Sequence, residues 1–264
     1  MLLDKWVGFM LLEVNDLTVR FGGLVAVDCL SFGVNQNEVV CLIGPNGAGK
    51  STVVNALTGL TRYEKGTVAF NEKNLSGLKP NQIARVGLVR SFQNLNSFQN
   101  LTVKENVLIG NHLHLNSNLF SQMLRLPKTR RLEKESLVTV DKILSFLNLV
   151  SVKDSRVADL PYSQQKMVEV ARALAVKPRL LILDEPAAGM NETEKRMFGQ
   201  FIKRLQTEKG IAIFAIEHDM PFVEQISDRV IAIDFGKKIA EGSFHAVVNR
   251  VEVLEAYLGK AIAS

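Results

Sequence analysis

Short, uninterrupted runs of apolar residues mark this chain and predict strands buried on both faces of a sheet. Three such runs cover residues 39–43, 180–183 and 211–216. Apolar runs of this length between turn signals are typical of strands in parallel sheets. Leu11–Val19 alternates instead, which favours a strand with one solvated face. Helical patterns separate the strands, so we predict an α/β core with right-handed crossovers.

A different pattern follows in the middle of the chain. Apolar residues recur there at helical spacing, at Leu137, Val140, Leu144 and Leu147. A basic cluster, Lys128–Arg131, precedes them, and we interpret it as a solvated helix start, with contact to phosphate or lipid as the alternative. The segment is therefore expected to be an inserted helical subdomain.

These patterns set the predicted domain boundaries. We expect one domain over residues 11–258. Its parts are a core at about 11–93 and 165–243, a helical subdomain at about 94–164, and a helical C-terminal tail at 244–264. Because no internal repeat is visible, the chain is predicted to carry one such unit and not two.

Composition narrows the class of protein. With 264 residues, 47% of them hydrophobic, the chain can bury a full core. The net charge of +5 suits a partner with an acidic surface or phosphates, and equally an ordinary basic protein. No run of eighteen apolar residues occurs, and Asp4 and Lys5 interrupt the apolar N-terminus, so we expect neither a membrane span nor a signal peptide. Cys29 and Cys41 lie in apolar stretches and are expected to be reduced core thiols.

A phosphate-binding loop follows the first buried run. Its residues are Gly44, Pro45, Asn46, Gly47, Ala48, Gly49, Lys50 and Ser51, and Thr52 comes next. Glycines at these positions allow backbone N–H groups to close around phosphate oxygens at a helix N-terminus. Lys50 is expected to contact the β- and γ-phosphates, and the Ser51 hydroxyl to bind Mg²⁺.

Two acidic residues end the second buried run. The carboxyl ends of parallel strands share one edge of a sheet, so Asp184 and Glu185 should lie beside the phosphate loop. We predict that Asp184 holds Mg²⁺ and that Glu185 orients and deprotonates the attacking water. His218, just after the third run, is predicted to reach the same edge and to hydrogen-bond the γ-phosphate or that water.

Two weaker candidates complete the set. Gln93 lies where the core gives way to the helical insert, and its amide could reach Mg²⁺ or water there. Phe21, beside two glycines, offers a ring that could stack on adenine.

These elements, in this order, resemble the ABC ATPase family over about residues 11–258. The resemblance implies an ABC-type fold, in which a P-loop core with a RecA-like sheet and an antiparallel β subdomain carries an inserted helical subdomain. It also implies ATP and Mg²⁺ as cofactors. It matches Phe21 to the adenine-stacking position and Gln93 to the Q-loop. Residues 180–185 match Walker B, residues 188–191 the D-loop, and His218 the switch histidine.

The family's signature, which contacts ATP bound to the opposite subunit, corresponds to residues 160–165. This chain departs from the family's Leu-Ser-Gly-Gly-Gln there. Pro161 replaces the serine and removes a hydroxyl and a backbone N–H, whereas Ser163 replaces a glycine and adds a hydroxyl. Ser163 and Gln164 are the expected ATP contacts.

Within the family, the Leu-Pro-Tyr signature, residues 187–191 and residues 256–259 are similar to ATP-binding subunits of branched-chain amino acid importers. The resemblance implies a second ATPase subunit (homo- or heterodimer), two transmembrane permeases, a periplasmic solute-binding protein and no nucleic acid. The expected place is peripheral, at the cytoplasmic face of the inner membrane.

Three alternatives remain open from the residues. Related importers carry amides or urea. A soluble ABC protein acting on nucleic acid or ribosomes would also suit the basic charge, although those resembling translation factors usually carry two ATPase units and DNA-repair relatives carry a longer coiled-coil insert. A P-loop phosphotransferase would need neither signature nor D-loop.

Overall fold

The computed structural model describes residues 10–91, 98–112 and 127–258, and the side chains of 111–112 and 127–134 are outside the description. The strands are β1 (Met10–Phe21), β2 (Leu24–Asn35), β3 (Val39–Ile43), β4 (Lys65–Phe70), β5 (Lys73–Asn74), β6 (Leu88–Arg90), β7 (Leu180–Asp184), β8 (Ala212–Ile216), β9 (Arg229–Asp234) and β10 (Lys237–Gly242). The helices are α1 (Lys50–Leu57), α2 (Pro80–Arg85), α3 (Val103–His112), α4 (Pro127–Phe146), α5 (Tyr162–Ala175), α6 (Glu192–Lys209), α7 (Met220–Ile226), α8 (Phe244–Val248) and α9 (Val251–Leu258).

The chain divides into two compact units. The first runs to Leu88 and resumes at Arg179, and the second comprises Val89–Pro178. The second unit extends beyond the predicted end of the helical subdomain at residue 164 because α5 packs closely on α3. A Cβ added at Gly110 of α3 would lie 2.1 Å from the backbone oxygen of Arg172 in α5.

A six-stranded sheet lies at the centre of the first unit, and the unit boundary falls within its edge strand β6. Its strand order is β10-β9-β3-β8-β7-β6. β9, β3, β8 and β7 are paired in parallel, and β10 is antiparallel to β9. Every residue of β3, β7 and β8 is buried, as their continuous apolar sequences predict.

A second, antiparallel sheet has the order β2-β1-β4-β5. The predicted alternation of β1 is seen only in part, because Leu11 and Leu12 are both buried and so is the run Leu17–Val19, where the pairing with β2 shifts register. Phe32 of β2 stacks on Phe214 of β8, with ring centroids 5.4 Å apart. The two sheets of the first unit therefore share one hydrophobic core.

The helices of the second unit bury the predicted apolar positions with one exception. Val140, Leu144 and Leu147 are buried, whereas Leu137 is 38% exposed. The side chains of the basic cluster Lys128–Arg131 lie outside the described residues.

The two cysteines differ in environment. Cys41 is fully buried in β3, and burial raises the pKa of its thiol. The prediction of a core position is wrong for Cys29, which is exposed and has a φ of 50°. A bulge in β2 between Val27 and Leu30, where the pairing with β1 shifts register, turns this position outward.

Candidate functional site

The phosphate loop connects β3 to α1, and its backbone fits tightly against the rest of the first unit. Gly44 and Gly49 have φ values of 155° and 103°. A Cβ added at Gly44 would lie 2.2 Å from the carbonyl oxygen of Ile233, and one at Gly49 would lie 2.5 Å from that of Ala26. Only glycine fits at these two positions, which explains the spacing seen in the sequence.

Neighbouring backbone groups hold the far side of the loop. The Gly236 N–H, in the turn between β9 and β10, donates to the Ala48 oxygen over 2.9 Å, and the Asp28 N–H donates to the Gly236 oxygen over 3.0 Å. The turn therefore links the phosphate loop to β2. A fixed backbone keeps its N–H groups oriented before any ligand arrives.

Lys50 is the first residue of α1, and its side chain folds back over the loop. The Nζ atom donates to the carbonyl oxygens of Gly44 (2.6 Å) and Pro45 (2.9 Å), and the residue is only 8% exposed. Burial lowers the pKa of Lys50, while the nearby carboxylates of Glu185 and Asp184 oppose that shift. The ammonium group thus lies within electrostatic reach of both predicted acids.

The other residues of the loop differ in exposure. Asn46, Gly47 and Ser51 are exposed, Ala48 is buried, and Pro45 and Thr52 are half-buried. The Ser51 hydroxyl is thus open to solvent beside the lysine, as a metal-binding group would need to be.

Asp184 and Glu185 lie at the carboxyl end of β7. Asp184 pairs with Ile216 of β8 and is 6% exposed. Glu185 has a φ of 46°, and its N–H donates to the Ile216 oxygen over 3.0 Å. This left-handed conformation ends the strand, and the side chain of Glu185 remains 46% exposed.

His218 comes two residues after the end of β8. Its Nδ1 atom is 3.8 Å from Oε1 of Glu185, and its side chain is 60% exposed. The structure therefore brings Lys50, Asp184, Glu185 and His218 to one edge of the parallel sheet. Their individual roles stay predictions.

Sequence reasoning missed two residues at this edge. Glu217, between β8 and His218, is 1% exposed, and its carboxylate accepts hydrogen bonds from backbone N–H groups. Tyr257 of α9, which is 37% exposed, forms a hydrogen bond with the backbone of Gly44, and partial burial raises the pKa of Tyr257 to about 12. The sequence signals are faint, because one is a lone acid after an apolar run and the other a lone aromatic in a tail.

Phe21 ends β1 at the tip of the β1–β2 hairpin, and its ring is 52% exposed. Leu24 opposes it across the hairpin. An exposed ring at this tip is available for stacking, and the assignment to adenine stays a prediction. Gln93 lies outside the described residues.

The predicted signature belongs to the second unit, at the start of α5. The helix begins at Tyr162 after Pro161, so Ser163 and Gln164 occupy its first turn and are half-buried. The Gln165 amide donates to the Leu160 oxygen over 2.8 Å. With no acidic residue in this turn, the N–H groups that have no partner within the helix and the helix dipole give the turn a positive potential.

None of the helices in the described residues is both long and apolar enough to cross a membrane.

Comparison with known proteins identifies the family. The family model described as ABC transporter matches residues 27–188. A high-affinity branched-chain amino acid transport ATP-binding protein, LivG of Salmonella typhimurium, is 41% identical over 95% of this chain and 98% of its own. BraF of Pseudomonas aeruginosa, with the same description, is 40% identical over the same shares. A solved ATP-binding cassette of an ABC transporter in its ADP conformation aligns with a TM-score of 0.84 at 32% identity, over 95% of this chain and 99% of that one.

These findings confirm the predicted α/β fold of the ABC ATPase type, since the solved cassette covers almost the whole of both chains. They also confirm that the chain carries a nucleotide-binding cassette. The chain therefore belongs to the ABC transporter family, as one of its ATP-binding, ATP-hydrolysing subunits.

Proposed function

We propose that this chain hydrolyses ATP to drive an importer of branched-chain amino acids, with its spanning subunits on separate chains. The observation that carries the ATPase part is the gathering of Lys50, Asp184, Glu185 and His218 beside the phosphate loop. The solute class is supported by the 40–41% identity to LivG and BraF, which are described as branched-chain amino acid transport proteins.

The residues at the site suit a nucleoside triphosphate with Mg²⁺. The Ser51 hydroxyl and the Asp184 carboxylate are hard oxygen donors, as Mg²⁺ prefers, and Gln93 is the third predicted ligand. When bound, Mg²⁺ would neutralise charge on the phosphates. The loop N–H groups bind phosphate oxygens, and Lys50 exchanges loop carbonyls for the β- and γ-phosphates.

Hydrolysis needs a base and an orienting group near the γ-phosphate. Glu185 is half-exposed, so its carboxylate can accept a proton from the attacking water. His218, 3.8 Å away, donates a hydrogen bond to the γ-phosphate or to that water. The products are ADP and phosphate.

Coupling to transport requires a second ATPase subunit. In the proposed assembly, the first turn of α5 contacts ATP held by the opposite phosphate loop through Ser163 and Gln164. ATP drives closure only because it binds the closed dimer more tightly than the open one. Two permeases and a periplasmic binding protein complete the importer, and this chain lies peripherally at the cytoplasmic face of the inner membrane.

The test of the ATPase part is Glu185→Gln in the purified chain. We expect the rate of ATP hydrolysis to fall by about 10² to 10⁴, the usual contribution of a positioned base, with ATP affinity retained. An ATP-bound dimer should then accumulate in size-exclusion chromatography. Unchanged hydrolysis would contradict the role of Glu185, and hydrolysis that requires an added acceptor would indicate a phosphotransferase.

The solute class is tested by reconstituting the chain with its permeases and binding protein in vesicles. We expect ATP-dependent uptake of radiolabelled leucine, isoleucine and valine. Uptake of urea or a short amide instead would place the chain with the related importers. Binding to nucleic acid, without association with membranes that contain the permeases, would favour the soluble alternative.

A further inference from the structure

A carboxylate is buried between the two catalytic segments of the first unit. Glu217 follows β8 directly, and it is 1% exposed. Glutamate is rarely buried unless hydrogen bonds compensate for the lost hydration. The position therefore needs a reason beyond the packing of an apolar strand end.

The compensation comes from backbone N–H groups. Oε1 of Glu217 accepts from the Ala187 N–H over 2.9 Å, and Oε2 accepts from the His218 N–H over 3.1 Å. The N–H of Asp219 also hydrogen-bonds this carboxylate. Burial raises the pKa of Glu217, and the three N–H groups oppose that shift. A charge-assisted bond to a carboxylate is about twice as strong as a neutral one.

These hydrogen bonds join the two segments that carry the predicted base and the switch histidine. Ala187 lies two residues after Glu185, and the other two donors are the N–H groups of His218 and Asp219. The ladder between β7 and β8 ends with the bond from the Glu185 N–H to the Ile216 oxygen. Beyond that point, the side chain of Glu217 continues the connection between the strands.

The hydrogen bonds of Glu217 restrain the distance between Glu185 and His218, which no direct hydrogen bond between those two side chains restrains. Glu185 and His218 are 46% and 60% exposed, and their closest polar atoms are 3.8 Å apart, which is too far for a strong hydrogen bond. Their spacing therefore depends on the backbone that carries them. A misplacement of about 1 Å at a reacting centre can lower a rate by about 10².

We propose that Glu217 is a positioning residue, which sets the spacing of Glu185 and His218 by accepting hydrogen bonds from the Ala187 and His218 N–H groups. It does not touch the nucleotide. The proposal rests on the proposed function, since it assumes that Glu185 and His218 act on the γ-phosphate.

The test is Glu217→Gln in the full chain. The amide keeps the volume but turns an N–H₂ group toward an N–H donor, so one hydrogen bond is replaced by a repulsive contact. We expect kcat to fall by about 10- to 100-fold, with the KM for ATP within about twofold, because the three N–H groups that bind this carboxylate lie outside the phosphate loop.

Glu38→Gln is the matched control. The Glu38 side chain is 13% exposed, binds Arg229 over 2.8 Å and accepts from the Asn35 N–H over 2.8 Å, and both of these partners lie outside the candidate site. We expect this variant to lower the melting temperature without changing kcat. Equal kcat values for the Glu217 and Glu38 variants would overturn the proposal.

Two further results keep the outcomes distinct. If Glu217→Gln does not bind ATP, Glu217→Asp, which retains the carboxylate with a shorter reach, is measured in the same way. Loss of kcat and ATP affinity together in both variants would also overturn the proposal, because Glu217 would then support the fold instead of the spacing. Normal hydrolysis by Glu185→Gln would refute the proposed function, whatever the Glu217 variants show.

Discussion

Gly47 and Gly49 of the phosphate loop both have positive φ, yet of these two only Gly49 packs against backbone. Gly47 and Gly49 have φ values of 83° and 103°. A Cβ at Gly47 would meet nothing within 4 Å, whereas one at Gly49 would lie 2.5 Å from the Ala26 oxygen. Alanine at Gly47 would therefore test only the cost of a positive φ, whereas alanine at Gly49 would add the clash of its Cβ with the Ala26 oxygen.

We predict that Gly49→Ala lowers the free energy of unfolding by about 2 kcal/mol more than Gly47→Ala, within the range for overpacking. Both variants have a similar conformational cost, since alanine disfavours positive φ. Urea unfolding of the two variants measures the difference. Equal losses would show that the loop moves away from Ala26 at little cost.

The residues that phosphate binding requires at a fixed spacing could be predicted from the sequence. The glycines, Lys50 and Ser51 have a spacing that phosphate binding requires, and the structure places them as a loop between strand and helix. Glu217 could not be predicted, because a lone acid after an apolar run is usually solvated. Its importance depends on three N–H groups that only the fold brings together.

Helices α5 and α6 begin in different ways. Asn191 caps α6, accepting from the Glu194 N–H over 3.0 Å, while Glu194 accepts from the Asn191 N–H over 3.0 Å. Pro161 precedes α5 and makes no side-chain cap. The segment predicted as the D-loop is thereby tied to its helix, whereas Pro161 provides no cap for the first N–H groups of the predicted signature turn.

We predict that Asn191→Ala lowers the free energy of unfolding by about 1 kcal/mol, the usual value for a lost N-cap. Asn191→Asp keeps the acceptor oxygen and should be near neutral. Urea unfolding of both variants checks this. If the aspartate variant loses as much as the alanine variant, the asparagine acts through another contact.

Helix α9 reaches the phosphate loop through Tyr257, whose pKa is raised from 10.0 to about 12. A group with a raised pKa in the folded state stabilises the fold below its unfolded pKa, and that contribution is lost as the pH rises through the folded value. We therefore predict that the free energy of unfolding falls between about pH 10 and pH 12. Tyr257→Phe should remove this part of the alkaline loss, as measured by urea unfolding at each pH. The same alkaline loss in both proteins would assign it to other groups.

Elements with continuous apolar sequence could be predicted, and those defined by pairing partners could not. Val39–Ile43 and Leu180–Asp184 are buried strands in both sequence pattern and structure. The two-residue strand Lys73–Asn74 is polar and exposed, so nothing in its own residues indicates a strand. It exists because Ala69 and Phe70 offer a partner edge.

At the scale of the assembled machine, the altered signature makes the two ATP sites unequal if the partner carries the full family signature. The site on this chain's own phosphate loop would then be completed by the stronger signature. We predict that Glu185→Gln lowers turnover of the heterodimer more than the equivalent change in the partner. Steady-state ATP hydrolysis of the two mixed dimers measures this, and equal losses would contradict it.

The chain leaves the first unit and returns to it at almost the same point. The Gly87 oxygen accepts from the N–H groups of both Arg179 (2.9 Å) and Leu180 (3.1 Å). The whole of Val89–Pro178 therefore begins and ends beside a single peptide group. In evolutionary terms, such an arrangement lets the insert be lengthened or exchanged while β3 and β7, which lead into the phosphate loop and Glu185, keep their pairing with β8.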